Sequence, residues 1–126
     1  MKFNLSKKEI LNGRTAIQNL FQKGKIFTVQ HIKVFWLLLP ENNDIPVQVL
    51  FSVPKKIHKT AIKRNVIKRR MREVYRLNKH ELAQFIIEQN KGLHFAFIFT
   101  GTSEPTYGEL EINIRKVLKI LVEKCR

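Results

Sequence analysis

The spacing of hydrophobic residues along the chain changes several times, and each change marks a predicted structural element. Ser6 followed by Glu9 is the pattern of a capping box, which predicts a helix start near the N-terminus. A short helix is predicted from Arg14 to Lys23, where apolar residues recur every three or four positions. Gly24 provides its stop, and Asn12-Gly13 separates it from the first helical segment.

From Lys25 onward the hydrophobic period is two, which is typical of β-strands. Two strands are predicted over Phe27–Val29 and Ile32–Leu39, and a turn over Pro40–Asp44 follows them. In the next strand, Pro46–Lys55, one set of alternate residues is uniformly apolar and the other set is mixed. This alternation predicts a strand with one buried face and one partly open face.

Two longer helices and one more strand complete the pattern. A helix is predicted from Thr60 to Asn78, and the apolar spacing allows it to continue to Ile87. The mostly apolar run Leu93–Thr100 predicts a buried central strand, and Leu110–Lys124 predicts an amphipathic helix. The order α-β-β-β-α-β-α predicts a single α+β domain over residues 1–126, a sandwich of helices on a central four-stranded sheet.

Composition narrows the class of protein. The 126 residues include 24 Lys and Arg but only 10 Asp and Glu, so the net charge is +14, which favours a polyanionic partner. The only cysteine is Cys125, which excludes a disulfide scaffold, and the four scattered histidines have no metal-ligand spacing. No apolar run approaches the ~20 residues of a membrane span, so we expect a soluble, cytoplasmic protein.

Most of the charge lies in one block. Between Lys55 and Lys79 there are eleven cations and one acid, a net charge of +10 in 25 residues. On a helix, one stripe of this block is polar, formed by Asn65, Lys68, Arg69, Arg72 and Arg76. The opposite side, expected to face the sheet, is formed by Val66, Ile67, Met71, Val74 and Leu77. Glu73 is within reach of Arg69 and Arg76. Guanidinium groups bind phosphate oxygens through paired hydrogen bonds, so the stripe predicts a nucleic-acid-binding helix.

The aromatic residues favour RNA over DNA. Phe35 shares a strand face with Lys33, and Phe21 lies near the end of the first predicted helix, where each ring could stack on an unpaired base. No second helix offers the helix-turn-helix arrangement of many DNA-binding proteins. Three further aromatic residues are assigned to the core: Phe95, Phe97 and Phe99.

Two segments resemble the bacterial ribonuclease P protein family. The first is the strand end Phe51-Ser52-Val53-Pro54-Lys55-Lys56, and the second is the helical pattern Arg64-Asn65-x-x-Lys68-Arg69-x-x-Arg72-Glu73. The spacing of the second segment is far more specific than that of a generic basic run. Leu20-Phe21-x-x-Gly24 and Thr106-Tyr107 also fit the family, so the resemblance covers nearly the whole chain.

The resemblance implies an architecture and a division of labour. It implies a left-handed β-α-β crossover through the basic helix, which composition alone could not indicate. It also implies that the chain binds the catalytic RNA subunit of ribonuclease P and the 5′ leader of precursor tRNA. The RNA subunit, with Mg²⁺, would hydrolyse the phosphodiester that releases the leader. We therefore expect no catalytic residue, no cofactor bound by the protein alone, no membrane contact and no obligate protein partner.

Matching positions in the family motif assign two sets of site residues. The leader-binding set is Ile17, Phe21, Lys33, Phe35, Ser52, Lys56, Arg64, Asn65 and Lys68. The set that would face the RNA subunit is Arg69, Arg72 and Arg76. The alternative is a ribosomal or other structural RNA-binding protein without an enzymatic role. A stand-alone nuclease is rejected because Asp44 is the only Asp and no carboxylate cluster for Mg²⁺ exists.

Overall fold

The structure, a computed structural model, describes residues 5–41 and 44–126. A mixed four-stranded sheet has the order β1-β2-β4-β3, and helices lie on both of its faces. The strands are β1 (Lys25–Val29), β2 (Ile32–Leu39), β3 (Val47–Ser52) and β4 (Gly92–Phe99). The helices are α1 (Arg14–Lys23), α2 (Ala61–Asn78), α3 (His80–Glu88) and α4 (Tyr107–Lys124). The α+β class and the central four-stranded sheet predicted from the sequence are confirmed.

The crossover from β3 to β4 runs through α2 and α3. The Leu93 N–H in β4 donates to the Pro46 carbonyl at 2.7 Å, so this edge of β4 faces β3, which is parallel to it. The Leu93 side chain lies on the α2 side of the sheet, as does Phe95, whose ring contacts Tyr75 of α2. The chirality of L-residues relates the direction of the Leu93 N–H to the side of the sheet on which its side chain lies. With the sheet viewed from α2 and both strands pointing up, β3 therefore lies to the right of β4. The connection is therefore left-handed, as the resemblance implied, against the usual right-handed rule.

The larger core lies between the sheet and helices α2, α3 and α4. Tyr75 of α2 is its centre, with ring centroids 5.7 Å from Phe95 and 5.9 Å from Phe97. Phe95, Phe97 and Phe99 are all buried, which confirms their assignment to the core. A smaller core on the other face packs Leu20 of α1 against Ala96 of β4. The two central strands, β2 and β4, therefore have one face towards α1 and the other towards α2, α3 and α4.

Helix α2 ends at Asn78, as predicted, and the continuation that the apolar spacing allowed is a separate helix, α3. Lys79 lies at the junction, and its buried ammonium pairs with the Glu9 carboxylate at 2.6 Å. Glu9 belongs to the capping box predicted at the N-terminus, and it accepts a hydrogen bond from the Ser6 N–H at 2.8 Å. That box encloses only one 3₁₀ turn, Lys7–Glu9, so the predicted N-terminal helix start is wrong in extent.

Other boundaries also differ from the sequence prediction. The third strand ends at Ser52 instead of Lys55, because the Pro54 carbonyl accepts hydrogen bonds from the next turn. The last helix begins at Tyr107, three residues before Leu110, with the Thr106 hydroxyl accepting from the Glu109 N–H. Asn42 and Asn43, in the predicted turn Pro40–Asp44, lie outside the described residues.

One core assignment on α2 is wrong. Leu77, predicted to face the sheet, is 40% exposed, whereas Tyr75 is buried in its place. The ring of Tyr75 reaches the sheet from the flank of the helix, and it contacts Phe51 as well as the aromatic residues of β4.

Candidate RNA-binding surface

The end of α1 lies close to β2 because the chain has glycine at position 24. A Cβ atom on Gly24 would be 2.3 Å from the Leu20 carbonyl oxygen and 3.0 Å from the Trp36 carbonyl oxygen. Both oxygens belong to the backbone and cannot move without shifting an element, so a larger residue here would push α1 away from the sheet. Gly24 thus fixes the position of Phe21, which lies on the last turn of α1.

Phe21 and Phe35 form an aromatic pair between α1 and β2. Their ring centroids are 4.7 Å apart and their planes are inclined at 68°, an edge-to-face arrangement. The Lys33 ammonium lies 5.5 Å from the Phe35 ring centroid. Phe21 remains 37% exposed and Phe35 is half-buried, so aromatic surface is open to solvent beside a cation.

The sheet register extends this surface across three strands. Lys33 pairs with Ile98, and Ile98 pairs with Ser52, so the three residues form one row across β2, β4 and β3. In the next row Phe35 pairs with Ala96, whose small side chain is covered by Leu20 of α1. Five predicted leader-binding residues thus share one face of the sheet, and we call them the aromatic cleft: Ile17, Phe21, Lys33, Phe35 and Ser52.

A histidine that was not predicted lies on the same face. His94 of β4 pairs in register with Gln48, and its Nε2 lies 3.0 Å from the Gln48 Oε1 atom. Burial lowers the pKa of His94, which favours the neutral imidazole and a hydrogen-bonding role over a charged one. The apolar run that predicted a buried strand could not identify this pair, because Gln48 is 46 residues away.

The cations of α2 lie on the other side of the sheet. We call the polar side of this helix the basic stripe, formed by Arg64, Asn65, Lys68, Arg69, Arg72 and Arg76. The Arg72 guanidinium lies 5.9 Å from the Phe51 ring centroid, so the stripe borders β3, the edge strand of the sheet. The structure therefore separates the predicted leader-binding residues: Arg64, Asn65 and Lys68 lie on α2, not in the aromatic cleft. Lys56 is exposed in the turn between β3 and α2.

Arg64 and Arg76 of the basic stripe form hydrogen bonds within the protein. Arg64 Nη1 donates to the carbonyls of His58 and Lys59, each at 2.9 Å, and so holds the turn that leads into α2. Arg76 Nε donates to the Glu73 carboxylate at 3.2 Å. This hydrogen bond from Arg76 lowers the pKa of Glu73. The pairing of Glu73 with Arg76 was predicted, whereas no contact with Arg69 is found among the described residues.

Arg70 is a cation whose role the sequence did not indicate. Its Nη1 donates to the Pro105 carbonyl at 2.8 Å and lies 3.4 Å from the Glu104 carboxylate. These partners belong to the loop before α4, so Arg70 connects α2 to α4 and lies outside the basic stripe. Because Pro105 is 35 residues away, no local pattern could have predicted the contact.

Metal-binding groups were sought among residues 5–41 and 44–126. In these ranges no three His, Cys, Asp or Glu side chains come together as a group that could hold a metal ion. None of their helices is both long enough and apolar enough to cross a membrane.

Comparison with known proteins agrees with this architecture. The model of the family described as "Ribonuclease P" matches residues 5–122. The "Ribonuclease P protein component" of Porphyromonas gingivalis is 37% identical over 116 residues, which cover 92% of this chain and 85% of the relative. The protein of the same name from Chlorobaculum tepidum is 35% identical, with 94% and 82% covered.

A solved structure of the Staphylococcus aureus RNase P protein has the same fold. It superimposes with a TM-score of 0.68 at 23% identity, covering 89% of this chain and 94% of that protein. The match of the family model over nearly the whole chain, together with relatives above 30% identity, identifies the family. The chain belongs to the ribonuclease P protein family.

Proposed function

We propose that the chain is the protein subunit of ribonuclease P. It acts with the ribonuclease P RNA and assists the endonucleolytic removal of the 5′ leader from precursor tRNA. In this proposal the aromatic cleft binds the single-stranded leader, and Arg69, Arg72 and Arg76 of the basic stripe bind the RNA subunit. Four further residues stay predicted leader contacts: Lys56, Arg64, Asn65 and Lys68. The aromatic pair Phe21–Phe35, with Lys33 beside it, is the observation that carries the proposal.

The chemistry of the cleft suits an unpaired RNA strand. Rings with open surface stack on bases of any sequence, and each stacked base contributes about 1–3 kcal/mol to binding. Lys33 supplies a cation for the backbone phosphate, while Ser52 and His94 add polar groups in nearby positions of the sheet. A double helix would offer no free base to these rings, so the cleft favours the leader over the paired parts of tRNA.

The basic stripe suits the phosphates of a folded RNA. Arg69 and Arg72 are exposed on α2, and the Glu73–Arg76 pair leaves most of the positive charge of this helix uncompensated. Arginine forks bind phosphate oxygens through two parallel hydrogen bonds. Since α1 and α2 lie on opposite faces of the sheet, one molecule could bind the leader and the RNA subunit at the same time.

The protein's own part in the reaction is to bind and orient. Mg²⁺ held by the RNA subunit would supply an activated water and would stabilise the charge that develops at the phosphodiester. We propose that RNA phosphates hold this metal, since no suitable group of acidic side chains is found in the described part of the protein. Residues of the aromatic cleft would hold the leader so that the scissile bond stays in register with the RNA active site.

The proposal is tested by Phe35→Ala in the reconstituted holoenzyme. Loss of one stacking contact should weaken binding of leader-bearing precursor tRNA about ten-fold, since ~1.4 kcal/mol corresponds to one decade. Binding of mature tRNA, which has no leader, should change little. Equilibrium titrations with the two RNAs measure both affinities.

Phe35→Leu is the matched variant, because it keeps apolar volume and removes only the ring. It should reproduce most of the loss, and melting curves must show both variants folded. If the folded variants bind leader-bearing and mature tRNA with equally reduced affinity, or with unchanged affinity, then Phe35 does not contact the leader and the proposed cleft is wrong.

A further inference from the structure

Three lysines converge at the end of the molecule where α1 and α4 both terminate. Lys23 ends α1, Lys25 begins β1, and Lys124 ends α4. Together with a tryptophan they border a cavity of about 220 Å³, lined by Lys23, Lys25, Trp36, Leu37, Leu38 and Lys124. We call this group the lysine site. Neither the aromatic cleft nor the basic stripe includes any of these residues.

The charge of the lysine site is not compensated by the protein. No carboxylate lines the cavity, and none of the three ammonium groups forms an ion pair within the described ranges. The nearest acid in sequence, Glu123, instead lies 3.5 Å from Arg126. The two helix ends contribute roughly half a negative charge each, so three lysines exceed what is needed to offset them by about two charges.

Aromatic faces position two of the ammonium groups. The Lys25 ammonium is 5.3 Å from the Trp36 ring centroid, and the Lys124 ammonium is 5.9 Å from the Phe27 ring centroid. Such contacts hold the lysines without using their hydrogen-bond donors. The donors therefore remain available to an anion.

The tryptophan adds an unsatisfied donor. Trp36 is only 6% exposed, and its indole N–H has no hydrogen-bond partner among the described residues. A buried donor without a partner costs about 1–3 kcal/mol, so such groups are rare in folded proteins. An oxyanion in the cavity would bring an acceptor to this part of the molecule.

We propose that the lysine site binds backbone phosphates of the 5′ leader, beyond the nucleotides that stack in the aromatic cleft. The last turn of α1 borders both surfaces, because it carries Phe21 and, two residues later, Lys23. Lys25 pairs with Trp36, and the next residue, Ile26, pairs with Phe35, so the lysine site and the aromatic cleft lie on opposite faces of β1. Because β1 is an edge strand, the leader would pass from one surface to the other around this edge. This inference rests on the proposed function, since it takes the leader as the occupant.

The first test uses the single tryptophan of the chain as a reporter. The indole N–H of Trp36 gives one resolved NMR signal, which is followed during titration of the folded protein with a single-stranded RNA tetranucleotide. We expect a saturable shift of this signal that is abolished in the variant Lys23→Gln/Lys25→Gln. Lys116→Gln/Lys119→Gln, which removes the same charge from exposed positions of α4, should keep the shift. An unmoved indole signal, or an equal loss in both variants, overturns the proposal.

The second test identifies the source of the phosphates. In the holoenzyme, Lys23→Gln/Lys25→Gln/Lys124→Gln should weaken the binding of precursor tRNA only when the leader is long enough to extend beyond the aromatic cleft. For long leaders the slope of log affinity against log salt should fall by about two units, as expected for three phosphate contacts on a single strand. Phe35→Ala, in contrast, should weaken the binding of precursor tRNA with a short leader and with a long leader by the same factor.

The outcomes of the second test separate the two proposals. If the triple lysine variant weakens binding of the RNA subunit but not of long leaders, or weakens neither, the lysine site does not bind the leader. That result would leave the aromatic cleft untouched. If Phe35→Ala has no effect on any leader while the triple variant acts on long ones, the cleft fails and the lysine site remains.

Discussion

At the scale of single residues, the Lys79–Glu9 pair links two parts of the chain that are far apart in sequence. Lys79 is buried, and its ammonium lies 2.6 Å from a carboxylate that is 70 residues away in sequence. The pair joins the N-terminal 3₁₀ turn to the junction between α2 and α3. It thereby holds the segment before α1 against the edge strand, where the Leu11 N–H donates to the Val49 carbonyl at 2.8 Å.

This pair predicts a pH dependence of stability. Burial by itself would raise the pKa of Glu9, but hydrogen bonds from Lys79 and the Ser6 N–H outweigh it and lower the pKa below the usual 4.5. A carboxylate with a depressed pKa in the folded state stabilises the protein above its unfolded pKa, and the contribution is lost as the pH falls. Glu9→Gln should therefore lower the free energy of unfolding by about 1–3 kcal/mol at pH 7. The difference between wild type and variant should shrink below about pH 4.5.

Denaturant unfolding of both proteins at several pH values measures this difference. Glu123→Gln is the control, because Glu123 and Arg126 form an exposed ion pair, and exposed ion pairs contribute little to the free energy of unfolding. A Glu9→Gln variant as stable as wild type at pH 7 would show that the pair does not hold the N-terminal segment.

At the scale of elements, α2 carries the proposed contact with the RNA subunit. Because bound phosphates release counterions, affinity for the RNA subunit should fall steeply with ionic strength. Arg69→Ala or Arg72→Ala should each reduce the slope of log affinity against log salt by roughly one unit. Titrations of the RNA subunit at several salt concentrations give the slope.

Arg70 provides the matched control on the same helix. Its guanidinium is directed to Pro105 and Glu104, so Arg70→Ala should change the slope much less than Arg69→Ala, provided that the variant is folded. Equal effects of Arg69 and Arg70, or a slope near zero in the wild type, would mean that the basic stripe does not bind the RNA subunit.

The elements also show which features the sequence could predict. Strand β3 was predicted because burial on one face leaves a period of two in the sequence, and β4 was predicted because a strand buried on both faces leaves a mostly apolar run. The end of α2 at Asn78 was predicted, whereas the pairing of Lys79 with Glu9 at the junction was not, because Glu9 is 70 residues away in sequence. The basic stripe follows from helical spacing alone, whereas the neighbours of Arg70 and His94 depend on contacts 35 and 46 residues apart.

At the scale of the whole molecule, the sheet separates the two proposed binding surfaces. The aromatic cleft lies under α1 on one face, and the basic stripe lies on α2, which packs on the other face. The left-handed crossover brings α2 beside β3, at the edge of the sheet. We propose that this arrangement lets one small protein hold a substrate strand and a large RNA on different sides, while the RNA performs the chemistry.

Reconstitution tests this account most directly. The purified protein is added to the ribonuclease P RNA of the same organism, and cleavage of precursor tRNA is measured at low Mg²⁺. We expect the protein to restore cleavage at a Mg²⁺ concentration where the RNA alone is nearly inactive, and to do so by tightening the binding of leader-bearing substrate. A folded protein that binds the RNA yet leaves both the rate of cleavage and the affinity for precursor tRNA unchanged would contradict the account.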